Sequence, residues 1–128
     1  MRHSFPPSID HLPKALSLIH TLALSAGFDK DTLWMIELAV EEALVNCIRH
    51  GQLNDRAIEL HCEIVNPSGL RILIKDEGIP YSINGDACKE AGTHSSSHSV
   101  GGWGVVLMKK CMDDIAYVRE EGKNVLTM

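Results

Sequence analysis

Residues 33–51 read LWMIELAVEEALVNCIRHG, and the fold turns on this stretch. At about 3.6 residues per turn, Ile36, Val40, Ala43, Leu44 and Cys47 fall on one side of a helix. That side is apolar and faces a core. Glu42, Asn46, Arg49 and His50 gather on the opposite side. Glu42 and Asn46 are four apart, so their side chains stack one above the other. A carboxylate and an amide stacked this way serve as a solvated face, or hold a metal-bound phosphate with a base beside it. For an isolated Glu-x-x-x-Asn the solvated face is the commoner case, so the rest of the chain has to decide.

Upstream, Ser8 or Asp10 caps a helix that runs to about Ala26, with Pro13 in its first turn. Leu12, Leu16, Ile19, Ala23 and Ala26 make its apolar stripe, and Gly27 ends it. Asp29 or Asp31 starts the central helix and Gly51 ends it. Residues 1–7 contain Pro6-Pro7 and leave room for one brief edge strand. Downstream, Ala57–Val65 and Leu70–Lys75 make a hairpin about the turn Asn66-Pro67-Ser68-Gly69. Gly101-Gly102-Trp103-Gly104 opens a third helix, Val105–Met112. Ile115–Arg119 and Asn124–Thr127 close the chain as a second hairpin. The order β-α-α-β-β-α-β-β predicts an α+β two-layer sandwich, a mainly antiparallel sheet with helices on one face.

The 128 residues suit one domain, 1–128, with a single core. A hydrophobic fraction of 45% with 23% charged residues is ordinary for a globular chain. The net charge of −5 gives no support for a direct nucleic-acid partner, which would want a basic patch. Cys47, Cys62, Cys88 and Cys111 form no C-x-x-C pair. The first residues, MRHSFPPSID, have no apolar core of a signal peptide. No run approaches the roughly 20 apolar residues of a membrane span. Reduced thiols and a cytoplasmic location are expected.

Three polar stations recur. The first is Glu42 with Asn46. The second is Asp76-x-Gly78-x-Pro80 at a strand end. The third is Gly101-Gly102-x-Gly104 at a helix start, beyond a polar, low-complexity stretch, Ala91–Ser99, that suits a loop. Singly, each has a plain reading as a solvated face, a turn or a joint. There is no P-loop signature, and no strand directly precedes the glycines as a dinucleotide fingerprint requires. Together they suit a nucleotide. Glycines at a helix N-terminus bring backbone N–H groups to phosphate oxygens. A strand-end Asp accepts from an exocyclic amine. An Asn amide oxygen suits Mg²⁺, with phosphates completing the shell.

In this order and spacing the stations resemble the N, G1 and G2 boxes of the Bergerat-fold (GHKL, histidine-kinase-like) ATPases. Within them the chain most resembles the small anti-sigma-factor serine-protein kinases. The likeness runs through ELAVEEALVNCIRHG, IKDEGIP, GGWGVVLMKKCMDDIAYV and GKNVLTM and covers nearly the whole chain. The resemblance implies ATP and Mg²⁺ as cofactors, with Asn46 binding the metal on the phosphates. It makes Glu42 the general base and Asp76 the reader of the adenine amine. Gly78 lets the base sit close, with Thr127 nearby. Gly101, Gly102 and Gly104 contact phosphates, Arg49 and His50 border them, and a mobile lid spans about 86–100. It implies an anti-anti-sigma protein as phosphoacceptor, a sigma factor as second partner, and a homodimer.

Two departures stand out. Many relatives carry a lid Arg or Lys that reaches the γ-phosphate, whereas Ala91–Val100 has only His94 and His98. Charge stabilisation dominates phosphoryl transfer, so this favours an alternative: a regulatory module that binds nucleotide or sequesters partners without catalysis. Trp103 also stands where a smaller residue is usual. His94 and His98, with no further ligands, do not make a metal site. A sensor histidine kinase is disfavoured, because no acceptor-histidine helix precedes residue 8.

Overall fold

The stretch 33–51 lies within one long helix, α2, Lys30–His50, in a computed structural model that describes residues 1–65, 68–81 and 95–128, with residues 95–102 described as backbone only. Its N-cap is Asp29, whose carboxylate accepts from the Thr32 N–H at 2.8 Å. That bond holds the Asp29 carboxyl below its ordinary pKa. Leu33, Ile36, Ala39, Val40, Ala43, Leu44 and Cys47 are buried, the apolar stripe that the helical spacing predicts.

Helix α1, Leu12–Ser25, precedes it. A short 3-10 turn, Ile9–His11, leads in, capped by Ser8. The expected helix from Ser8 or Asp10 is therefore a 3-10 turn followed by α1. The exit is a Schellman motif: Gly27 N–H bonds Leu24 O at 3.0 Å and Phe28 N–H bonds Ala23 O at 3.3 Å. Gly27 takes φ +86°, which a side chain would resist.

Five strands form one sheet: β1 Arg2–Phe5, β2 Ile58–Val65, β3 Gly69–Asp76, β4 Ala116–Glu120 and β5 Lys123–Thr127. Their order is β1-β2-β3-β5-β4, and every neighbouring pair is antiparallel. Cross-strand partners Phe5 and Ile58, Cys62 and Ile72, and Ile74 and Leu126 turn inward together. They complete one apolar core with α1 and α2. The outer face carries ion pairs, Arg71–Glu63 at 2.9 Å and Lys123–Glu59 at 3.1 Å. The predicted α+β sandwich, sheet on one side and helices on the other, is the observed fold.

A second element differs more from its sequence reading. The third helix, α3, runs Ser95–Cys111, so Gly101, Gly102 and Gly104 lie inside it and do not open it. Glycine costs about 1 kcal/mol per residue in a helix interior, which argues locally for a start after Gly104. Packing wins over propensity: Gly104 is buried against α2 and Met108 sits in the core. The expected lid, about 86–100, falls largely outside the described residues, as does Cys88.

Candidate nucleotide site

Asp76 ends β3 at 3% exposure, on the inward face. A buried carboxylate needs donors, and Oδ1 has two: Gly78 N–H at 2.8 Å and the Asn124 amide at 2.8 Å. Among the described residues Oδ2 accepts from the Cys47 thiol alone, at 3.4 Å, and a thiol is a weak donor. Burial first, then the Asp76 charge, pushes the Cys47 thiol well above its ordinary pKa. It stays a neutral donor toward Oδ2.

Gly78 has to be glycine. A Cβ there would lie 2.4 Å from Gly51 O and 2.7 Å from Asp76 Oδ1. The next residue, Ile79, donates its N–H to Gly51 O at 2.9 Å. The strand end thus abuts the C-terminus of α2, so the second station is held against the helix that carries the first.

Glu42 and Asn46 are half-buried on the face of α2 that α3 covers. At Gly104 a Cβ would meet Glu42 Oε2 at 2.7 Å and Asn46 Nδ2 at 3.4 Å. The absent side chain leaves room for both groups. Trp103 points out of the site at 72% exposure, so the bulky residue fills none of it. Arg49 and His50 are exposed at the end of α2.

The structure brings Glu42, Asn46 and Gly104 together, and separately Asp76 and Gly78. It does not bring Thr127 to Asp76. Inward positions on β5 are Asn124 and Leu126, so Thr127 turns to the outer face by strand alternation. Asn124, opposite Asp76, takes the place expected of it. The sequence reading missed Asn124, although its parity with Leu126 was the available signal. Gly101 and Gly102 sit in the helix backbone, where N–H groups bond to carbonyls four residues back. In this arrangement those amides do not present a phosphate cradle.

The donor set suits a purine nucleotide carried with a divalent cation. Asp76 offers an acceptor that is underused among the described residues, and Asn46 offers an amide oxygen to a hard cation that keeps water and phosphate in most positions. Among the described residues no group of three or more His, Cys, Asp or Glu could hold a metal ion.

This geometry, a strand-end acceptor and a Glu–Asn helix face on an α+β sandwich, is that of an ATPase domain. The chain belongs to the histidine kinase-like ATPase domain family, whose profile matches residues 5–128. It is 29% identical over 110 residues to the serine-protein kinase RsbW of Bacillus licheniformis, covering 81% of this chain and 68% of that protein. It is 31% identical over 88 residues to the anti-sigma F factor of Clostridium acetobutylicum, covering 69% of this chain and 62% of that one. In fold it is similar to the RsbU and RsbW domains of Rv1364c from Mycobacterium tuberculosis. The TM-score there is 0.68 at 13% identity, over 100% of this chain and 31% of that one. It is also similar to a histidine kinase domain from Erythrobacter litoralis, with a TM-score of 0.55 at 16% identity, over 92% of this chain and 58% of that one.

Proposed function

We propose that this chain is an ATP- and Mg²⁺-dependent serine-protein kinase and anti-sigma factor. It phosphorylates a serine of an anti-anti-sigma partner and, when that partner is released, holds a sigma factor. The observation that carries the reading is the pairing of Glu42 and Asn46 beneath Gly104, with Asp76 held against the same helix through Gly78 and Gly51. The names of its RsbW and anti-sigma F relatives support the activity and the partner class.

Bound ATP with its cation supplies the transferable phosphoryl group. Asp76 accepts from the adenine amine through Oδ2, and Gly78 holds its other oxygen through its N–H. Asn46 presents its amide oxygen to the cation. Glu42, one turn away, takes or orients the proton of the partner's serine hydroxyl. Arg49 and His50 border the phosphates from the helix end, and Gly101 and Gly102 contact them if the start of α3 opens. Among the described residues no helix is long and apolar enough to cross a membrane; action in the cytoplasm follows from the family resemblance. Pairing into a homodimer follows from the family resemblance.

A second reading, a regulatory module that binds without catalysis, has its own support. The amides of residues 101–104 lie within a helix, and Ala91–Val100 carries no Lys or Arg. Calorimetry with Mg-ATP tests the shared part. Asn46→Ala should keep the fold and weaken binding at least about tenfold, the order of one hydrogen bond or ligand contact. Equal affinity in the variant would remove Asn46 from the site.

A further inference from the structure

A groove of about 560 Å³ runs over β1, β2, the end of β3 and the loop before β2. Register builds it. Arg2 stands opposite His61, and Glu59 opposite Lys75. Their chain neighbours Leu60 and Ile74 turn into the core, so these side chains share the outer face of the sheet. Arg56 lies at the groove's end and is held by its own loop. Its Nε donates to Leu53 O at 3.1 Å and its Nη2 to Gln52 O at 3.3 Å. Those carbonyls converge because the loop backbone is unusual, with Gln52 at φ 52° and Asn54 at φ 55°. Left-handed backbone at non-glycine residues is uncommon and gathers at binding sites.

Glu59 and Glu77 also line the groove. Lys123 engages both, at 3.1 Å and 3.7 Å. Among the described residues Arg2, Arg56 and Lys75 make no ion pair. In a chain of net charge −5 the groove is thus a basic island.

We propose that this groove docks an acidic, extended segment of a partner protein. Neighbouring strands lie about 4.8 Å apart, so Arg2 on β1 and Lys75 on β3 stand about 10 Å or more from each other. A single phosphate cannot bridge them. An extended chain repeats its side chains on one face every 6.5–7 Å or so, and carboxylates at that spacing meet successive cations. A nucleic acid fits less well. Its phosphates form an unbroken negative line, while Glu59 and Glu77 interrupt the basic residues and the chain as a whole repels it. The groove does not depend on the nucleotide reading, since Lys75 faces outward where the next residue, Asp76, faces the core.

Calorimetry on the whole chain tests this with a blocked peptide of alternating alanine and glutamate, and with the same peptide carrying glutamine for glutamate. Wild type should bind the glutamate peptide and ignore the glutamine one. Replacing Arg56→Gln and Lys75→Gln together should weaken binding roughly fivefold or more, the loss of two exposed charge pairs. Replacing Lys109→Gln and Lys110→Gln together removes the same charge from the exposed end of α3 and should leave binding unchanged. Equal weakening in the two double variants would mean attraction to charge anywhere on the surface, and would overturn the proposal. So would failure of wild type to bind the glutamate peptide, equal binding of the glutamine peptide, or tighter binding of an oligothymidylate.

Discussion

Among the described residues Asp76 has two donors on one oxygen and a single thiol on the other, so its two oxygens are not equivalent. Replacing it with Asn would keep the oxygen that meets Gly78 N–H and set an NH₂ where Oδ2 stands. That NH₂ faces the adenine amine, donor against donor. Asp76→Asn should therefore weaken Mg-ATP binding by about 1–3 kcal/mol, the cost of an unsatisfied buried group, and weaken Mg-GTP far less. Competition between the two nucleotides measures it, and equal losses would give Asp76 another role. Cys62 supplies a pH prediction. Burial pushes its thiol up to about 11 from an ordinary value of 9.0. The fold thus favours the neutral thiol, and the stability this gives is complete below about pH 9 and is lost as pH rises through 11. Urea unfolding from pH 8 to 11 should show that decline, with a shallower slope in Cys62→Ala. At this scale much was legible. The shared helix face of Glu42 and Asn46 followed from helical spacing, and the strand-end position of Asp76 from the pattern before it. Thr127 did not, because the resemblance alone set it beside Asp76, whereas alternation with Leu126 turns it to the outer face.

Helices α1 and α2 were read closely, since caps and stops there are local chemistry: Asp29 at one end, the Gly27 exit at another. The hairpin of β4 and β5 was also legible. Its two turn residues, Glu121 and Gly122, both take positive φ, at 49° and 77°, as a two-residue hairpin turn demands. The start of α3 was not legible, because its glycines lower helix propensity while Gly104 packs against α2 within the helix. Gly104 joins that helix to the chemistry. Gly104→Ala should leave the melting temperature unchanged or raised, since Ala gains about 1 kcal/mol of helix propensity over Gly. Its Cβ would lie 2.7 Å from Glu42 Oε2, the movable end of a side chain, so the carboxylate must swing aside. Partner phosphorylation should fall, by roughly tenfold or more if Glu42 is the base. A variant that is as stable and as fast as wild type would separate Gly104 from catalysis.

Across the whole molecule, the sheet and α2 converge where Gly78 meets Gly51, and α3 closes over the Glu–Asn face of α2. Overall architecture was readable because each element's period agreed with its place in the sandwich. The polar cluster of Asn124, Tyr117 and Arg119 was not, since it joins residues from separate strands to a loop more than 40 positions away. The central claim is that this arrangement moves a phosphoryl group to a partner's serine with Glu42 as base. The most direct test is transfer from γ-labelled ATP to a co-purified partner, by wild type and by Glu42→Gln, with Mg-ATP affinity measured for both. Wild type should label a serine, and Glu42→Gln should bind Mg-ATP as well while transferring on the order of 10²–10⁴-fold more slowly. Equal transfer by the two proteins, or none by wild type to a partner it binds, would contradict it.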